Sequence, residues 1–202
     1  MRAQMRRIKY ERCARRIPVF AILFFPGLLV FVILGQLRSV AAEGQARSSL
    51  EVSSASFSDG GTIPSRYTCD GEDMSPALKW SHPPAGTKSF VVVMNDPDAP
   101  IDFTHWMVYD IPPGVFGLTE GALARGAMPK GSAEGTNDFN RPGYGGPCPP
   151  VGKPHHYVFR LYALDIRLDS RPGATRKQLD SAIARHIVAE GQIIGTYQRA
   201  SR

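Results

Sequence analysis

The 202-residue chain lacks the short patterns by which many enzymes and metalloproteins can be recognised. No H-x-H or H-E-x-x-H pattern offers two imidazoles to a metal ion, and no G-x-S-x-G pattern presents a nucleophilic serine. Internal repeats and low-complexity segments are absent from the sequence as well. These absences give no support to a catalytic assignment, and the sequence predicts no catalytic residue, no metal ion and no cofactor.

An excess of charge of one sign is also absent outside the N-terminal segment. The whole chain has a formal net charge of +6 and a pI near 9.4. Residues 1–42 hold 8 of its 24 Lys and Arg residues but only 1 of its 18 Asp and Glu residues, which leaves 16 basic and 17 acidic residues in the remainder. The basic character therefore belongs to the N-terminal segment, and nucleic acid is not predicted as a partner.

The N-terminal segment has the layout of a secretory signal peptide. A basic stretch, residues 1–18, precedes an apolar run of 17 residues, 19–35, and a small-residue patch at 39–42 offers a cleavage site. The alternative is an uncleaved membrane anchor, because a run of this length lies at the lower limit for a spanning helix. In both cases the basic flank stays inside, so the rest of the chain is expected to be periplasmic or otherwise exported.

The chain is accordingly divided into three parts: a signal peptide or N-terminal membrane anchor at 1–42, a linker at 43–49, and one folded domain at 50–202. Contact with a membrane is expected only through residues 19–35, and only if the segment is not cleaved. Cysteines are few: Cys13 in the leader, then Cys69 and Cys148. In an exported domain the last two make a disulfide possible, and the alternative is two independent buried thiols.

The folded part has the pattern of a mainly β domain with one late helix. Strands are predicted at 50–57, 78–80, 90–95, 103–111, 155–164 and 192–197, with a short extended segment at 63–67. Residues 114–154 lack periodicity and are expected to be irregular. Thr175 and Gln178 form a capping box that opens a helix, whose apolar stripe continues to Ile187 and whose stop is Gly191. Short strands with frequent Gly and Pro turns favour a β-sandwich-like domain.

Three polar residues lie at ends of the predicted strands. Asp96 follows the strand 90–95, His105 lies near the start of the next strand, and His155 opens the strand 155–164. If the first two strands are antiparallel and the third is parallel to the second, all three residues lie at one end of the sheet. Strand alternation places His105 on one face with Phe103, Met107 and Tyr109, and His156 on the face opposite His155.

One carboxylate and two imidazoles permit several kinds of chemistry. They can form a two-histidine, one-carboxylate metal site, or they can act as acid and base with Ser132 or Cys148 as nucleophile. They can also bind an anion through imidazole and backbone N–H groups. Spacing alone does not choose among these alternatives.

Several blocks of the sequence resemble the phosphatidylethanolamine-binding protein family, and specifically its bacterial branch of Raf kinase inhibitor-like proteins. The matching blocks are C-D-G at 69–71, D-P-D-A-P at 96–100, T-H-W at 104–106, G-G-P-C-P-P at 145–150 and K-P-H at 153–155, followed by Tyr157. The resemblance covers roughly residues 50–198. The order of D-P-D-A-P and the G-P-C-P-P block is highly specific to this family.

The resemblance implies two antiparallel sheets packed as a β-sandwich, with a small anion pocket at one end. The residues carried over to that pocket are Asp96, His105, Gly146, Pro149, Pro150, His155 and Tyr157. The family pocket accepts phosphate-like, carboxylate or phosphorylated head groups, so the expected partner is a small anionic ligand. The eukaryotic members carry a longer insertion after D-P-D-A-P, and their kinase contacts are therefore not carried over.

The leading hypothesis from the sequence is an exported, non-enzymatic binding protein for an anionic or phosphorylated ligand, which can also modulate a partner protein. The first alternative is a hydrolase-like enzyme that uses the same Asp/His/His pocket. The second alternative is a protein–protein inhibitor in which the pocket is vestigial.

Overall fold

The computed structural model describes residues 48–81, 83–122 and 124–200. Nine strands are β1 (Ser48–Ser49), β2 (Glu51–Ser53), β3 (Leu78–Ser81), β4 (Ser89–Asp96), β5 (Phe103–Ile111), β6 (Gly117–Leu118), β7 (Ala133–Glu134), β8 (His155–Leu164) and β9 (Ile187–Tyr197). The helix is α1 (Arg176–Ile183), and a 3₁₀ turn at Ser65–Tyr67 replaces the predicted extended segment. The predicted leader and most of the predicted linker lie outside the described residues.

The strands form two sheets in the described part of the chain. The larger has six strands in the order β1-β9-β8-β4-β5-β7, and the smaller has three in the order β2-β3-β6. Every pair of these strands is antiparallel except β1 with β9, which is parallel, so the prediction of a purely antiparallel fold is wrong at this edge. A strand of two residues carries no pattern from which its direction could be predicted. The mainly β class with one helix is confirmed, and the sandwich arrangement stays a prediction.

Strand β4 occupies the centre of the larger sheet, and all eight of its residues are buried. One face of that sheet packs with residues of the smaller sheet, where the rings of Trp80 and Phe90 lie 5.5 Å apart. The other face packs against α1 through Leu179 and Ile183. Burying each such side chain contributes about 1.5–3 kcal/mol, so the site at the end of β4 rests on a rigid base.

The capping box of α1 is confirmed, but its predicted C-terminal stop is wrong. The backbone N–H of Thr175 donates to Gln178 Oε1 at 2.8 Å, while Thr175 accepts from the backbone of Gln178. The helix ends at Ile183, and Gly191 lies inside β9. An added Cβ at Gly191 would lie 2.2 Å from the carbonyl oxygen of Leu50. This glycine therefore permits a close approach between two chain segments and does not end a helix.

The three strands that were expected to share an end do so. β4 pairs antiparallel with both β5 and β8, so the end of β4 lies beside the starts of the other two. Two of the predicted face partners of His105, Met107 and Tyr109, are wrong, because Asn95 pairs with Thr104 whereas Met94 pairs with Trp106. His105 is thus the extra residue of a β-bulge, and bulges re-aim side chains. Its ring lies 5.2 Å from that of Tyr157, and not on the face of Met107. The third predicted partner, Phe103, does lie beside His105, with ring centroids 5.1 Å apart.

No helix in these described ranges is long and apolar enough to cross a membrane. The apolar run 19–35 is not among the described residues. The disulfide proposed from sequence is present: the sulfur atoms of Cys69 and Cys148 are bonded, across a separation of 79 residues.

Candidate functional site

Asp96 ends β4 and holds both the following turn and a histidine of β8. Its carboxylate is buried, with 3% of the residue exposed. Oδ1 accepts the backbone N–H groups of Asp98 at 2.9 Å and Ala99 at 3.1 Å, and Oδ2 lies 2.7 Å from Nδ1 of His155. A carboxylate can only accept, so Nδ1 of His155 carries the proton. Asp96 therefore fixes the tautomer and orientation of His155 as well as the shape of the turn.

His105 is buried among aromatic rings and is anchored by the Gly/Pro loop, which is the segment 143–154 before β8. Its Nδ1 donates to the carbonyl oxygen of Gly145 at 2.7 Å. Ring centroids of Phe103, Phe139 and Tyr157 lie 5.1, 5.3 and 5.2 Å from its own. Burial lowers the pKa of His105, while the Gly145 carbonyl and the Asp96 charge partly oppose the change. The neutral ring keeps Nε2 as a hydrogen-bond acceptor.

This lowered pKa predicts a pH dependence of stability. Unfolding restores a pKa of about 6.5, so the unfolded chain takes up this proton before the folded chain does. The free energy of unfolding is therefore expected to fall as the pH drops below about 6.5. Above that pH, His105 is neutral in both the folded and the unfolded chain and causes no change in stability with pH. Urea unfolding of wild type and His105→Gln between pH 7.5 and 5.5 tests the expectation, since the variant should show a shallower decrease.

The matched control for that series is His186→Gln, whose exposed ring donates to Asp165 at 2.9 Å. In His186→Gln, the decrease in the free energy of unfolding that is due to His105 is expected to remain as in wild type. Equal slopes for wild type and His105→Gln would show that this buried histidine does not disfavour protonation in the folded state.

Tyr157 places a buried hydroxyl at the same end of the sheet. The residue is 0% exposed, and its hydroxyl oxygen makes no hydrogen bond of good geometry within the described residues. Burial is the main reason that the pKa of Tyr157 is raised well above its ordinary value, and the nearby Asp96 carboxylate adds to this. The hydroxyl thus keeps its proton. A buried hydroxyl without a partner costs about 1–3 kcal/mol, which a ligand acceptor could offset.

The Gly/Pro loop contributes walls and few donors. Pro149 and Pro150 line the cavity, as expected, but proline has no N–H group. Gly146 does not line it: its N–H donates to Asp73 Oδ1 at 2.6 Å, and an added Cβ would lie 2.4 Å from the carbonyl oxygen of Tyr67. Gly146 therefore serves the close packing of the loop, and the expected amide donor at this position is already occupied.

The two candidate nucleophiles are not placed for attack. Cys148 lines the cavity but is bonded to Cys69. Ser132 does not line the cavity, and its hydroxyl donates to the carbonyl oxygen of Pro129 at 2.6 Å. In the part of the chain that the structure describes, no group of three or more His, Cys, Asp or Glu residues could hold a metal ion.

The side chains described above surround one cavity of about 420 Å³. Its lining residues are Asp96, Asp98, Ala99, Pro100, Phe103, His105, Phe139, Cys148, Pro149, Pro150, His155 and Tyr157. Of the predicted site residues, all but Gly146 are among them. Phe103 and Phe139 were missed, because a phenylalanine in a strand or an irregular segment gives no signal that separates a pocket wall from a core residue.

Asp98 also belongs to the lining, and it ties the turn to β8. One of its oxygens, Oδ2, accepts both the backbone N–H and Nδ1 of His156 at 2.7 Å. The backbone N–H is the main reason that the pKa of Asp98 is lowered. His156 itself is exposed on the far face, as predicted.

A larger cavity, of about 730 Å³, lies beside Asp70, Tyr197 and Arg199. Its charged groups already satisfy one another, since Arg199 and the Tyr197 hydroxyl both donate to Asp70. Its size alone does not make it the better candidate site.

The family model for phosphatidylethanolamine-binding protein matches residues 53–198. The chain belongs to this family. A UPF0098 protein of Methanothermobacter thermautotrophicus is 49% identical over 144 residues, which cover 71% of this chain and 95% of that protein. The crystal structure of Escherichia coli YbcL, described as a member of the mammalian family, matches with a TM-score of 0.71 and 34% identity over 76% of this chain and all of YbcL.

A third relative is named as a candidate lipoprotein. This Mycobacterium tuberculosis protein is 39% identical over 155 residues, which cover 76% of this chain and 74% of that protein. Family membership thus agrees with the mainly β fold and with the resemblance of the D-P-D-A-P and G-P-C-P-P blocks.

Proposed function

We propose that this member of the phosphatidylethanolamine-binding protein family is an exported binding protein for a small phosphate-like or phosphorylated ligand. The ligand site is the cavity lined by Asp96, His105, His155 and Tyr157. The observation that carries the proposal is the buried hydroxyl of Tyr157, beside a histidine that Asp96 holds in one tautomer. Asp96 and the backbone of Cys148 lie near this hydroxyl, but neither makes a hydrogen bond of good geometry with it. Such a hydroxyl is a donor whose best partner is an acceptor from outside the chain.

The chemistry of the cavity suits an anionic group on a small molecule. The Tyr157 hydroxyl donates, and the bond from Nδ1 to Asp96 fixes the orientation of the His155 ring at the cavity wall. Phe103 and Phe139 supply apolar surface for the rest of the ligand. A volume of about 420 Å³ falls in the range of small-molecule pockets.

Binding is favoured over catalysis by what lines the cavity. The described lining residues include no serine or threonine, and the one cysteine is part of a disulfide. An Asp–His pair without a serine, threonine or free cysteine beside it can position a ligand but lacks the hydroxyl or thiol that a histidine base activates in acyl transfer.

Export is supported by three observations. The sequence begins with a basic stretch, an apolar run and a small-residue patch. A relative is named as a candidate lipoprotein. The disulfide between Cys69 and Cys148 is of a kind that persists in oxidising compartments outside the cytoplasm.

The variant Tyr157→Phe tests the site with little change in shape. We expect phosphate and phosphoethanolamine to bind about tenfold more weakly, a loss of ~1.4 kcal/mol, because one hydrogen bond to the ligand is removed. We expect stability to stay equal or to rise by up to about 1 kcal/mol, since a buried unpartnered hydroxyl is removed as well. Calorimetric titration and urea unfolding measure the two quantities.

The matched control is Tyr109→Phe. Tyr109 is equally buried, but its hydroxyl donates to the carbonyl oxygen of Arg171 at 2.6 Å. This variant should lose about 1–2 kcal/mol of stability and keep wild-type affinity. Equal affinity in wild type, Tyr157→Phe and His155→Ala would refute the proposed site. Turnover of a phosphoester that disappears in Asp96→Asn would replace the binding function with an enzymatic one.

A further inference from the structure

The hydrogen bonds of the cavity determine which ring nitrogens face a ligand. The Gly145 carbonyl and the Asp96 carboxylate are both pure acceptors, so each holds a protonated Nδ1, on His105 and His155 respectively. The hydrogen bonds of good geometry made by these rings within the described residues are those of Nδ1, and the Gly146 carbonyl also acts on the His105 ring. In the neutral rings, both Nε2 atoms are therefore acceptors that are left for a group in the cavity.

No permanent positive charge balances these acceptors. The described lining residues include no lysine or arginine, although such side chains are the usual partners of phosphate and sulfate. The lining does include the carboxylates of Asp96 and Asp98, and Asp138 also acts on His105 through its charge. The Tyr157 hydroxyl is the one side-chain donor in the described lining while both histidines are neutral.

The two histidines differ in their surroundings. The side chain of His155 is 16% exposed and lies against the Asp96 carboxylate. His105 is 3% exposed and is enclosed by aromatic rings, and burial disfavours its charged form. An oxygen next to Nε2 of His105 is therefore best matched if that oxygen itself carries a hydrogen.

We propose that this site selects oxyanions that carry a proton, with the acidic O–H of the ligand donating to Nε2 of His105. This inference rests on the proposed function and names its specificity. Singly protonated phosphate and singly protonated phosphate monoesters have both an anionic oxygen for Tyr157 and an O–H for His105. Sulfate has no proton at neutral pH, so one of its oxygens would face an acceptor, and this repulsion weakens its binding.

Competition between inorganic phosphate, methyl phosphate and sulfate on the full chain tests the specificity. At pH 6.0 and constant ionic strength, phosphate and methyl phosphate are expected to bind at least about tenfold more tightly than sulfate. At pH 8.0 methyl phosphate is mainly the dianion and has no O–H, so its binding should take up about one proton. Inorganic phosphate keeps one O–H as the dianion and should need no uptake. Calorimetry in two buffers of different ionisation enthalpy measures that uptake without any mutation.

The variant His105→Gln replaces the acceptor with a side chain that can also donate. The ratio of phosphate to sulfate affinity is expected to fall about tenfold, mainly because sulfate binds more tightly. His186→Gln, whose ring donates to Asp165 and does not line the cavity, should leave the ratio unchanged. If thermal unfolding shows that His105→Gln does not fold, the proton uptake of wild type still tests the specificity for protonated oxyanions.

The outcomes separate the two proposals. Equal binding of phosphate and sulfate by wild type, or methyl phosphate binding at pH 8.0 with no proton uptake, would overturn the specificity and leave the binding function in place. No binding of phosphate or methyl phosphate at either pH would overturn both. Tighter binding of phosphate than of sulfate, proton uptake with methyl phosphate at pH 8.0 and a lowered ratio in His105→Gln would support both.

Discussion

The variant Cys69→Ser/Cys148→Ser is expected to lose about 4 kcal/mol of free energy of unfolding. The disulfide joins positions 79 residues apart, so it closes a long loop in the unfolded chain and removes much of its conformational entropy. It also joins the segment after the 3₁₀ turn to the Gly/Pro loop, where the Cys69 N–H donates to the Pro147 carbonyl oxygen at 3.1 Å. One bond thus supports both the global fold and a wall of the cavity.

Urea unfolding of the double variant, and of wild type with and without a reductant, measures this loss. Reduced wild type is expected to match the double variant, and the reductant should not affect the double variant. Replacing both cysteines avoids leaving one thiol able to pair with Cys13. A loss below about 1 kcal/mol in both reduced wild type and the double variant would show that the cross-link adds little stability.

The variant Asp96→Ala is expected to lose about 3 kcal/mol of stability and all measurable ligand affinity. It removes the acceptor of two turn N–H groups and of His155 Nδ1, all at a buried position. The N–H groups of Asp98 and Ala99 would lose their partner, and the His155 ring would lose its fixed orientation. Urea unfolding and titration with phosphate measure the two losses.

The matched control for this prediction is Asp98→Ala in the same turn. Its side chain is 42% exposed, so water can replace the carboxylate as partner of His156. We expect a loss below about 1 kcal/mol. Asp96→Asn refines the comparison, because its Oδ1 can still accept the turn N–H groups while its amide N–H₂ opposes the His155 N–H. A variant Asp96→Ala as stable as Asp98→Ala would refute the assigned role of the buried carboxylate.

Much of the site could be predicted from strand patterns alone. The β-branched run at 90–95 marks a strand buried on both faces, and Asp96 and His155 lie next to strand ends that the sequence defines well. Antiparallel pairing of β4 with both neighbours then brings those ends together. The family resemblance adds Tyr157, Pro149 and Pro150, which also line the cavity.

The remainder depended on contacts between distant segments. The β-bulge at His105 arises from pairing with β4, and strand alternation within β5 gives no sign of it. Gly146 looks like a ligand-facing glycine in the sequence, but its N–H is held by Asp73, 73 residues away. The helix ends at Ile183 because the following residues pair with β8. Pairing of this kind overrides local periodicity.

The sequence by itself determined the mainly β class, the buried central strand, the capped helix and the presence of Asp96, His105 and His155 near strand ends. Local patterns determine such features because side-chain alternation and capping act over a few residues. Only the tertiary structure decided which nitrogen of each histidine is protonated, which loop amide is occupied, and that the Tyr157 hydroxyl has no partner. Those properties depend on atoms brought together from segments 40 to 73 residues apart, and no local pattern encodes them.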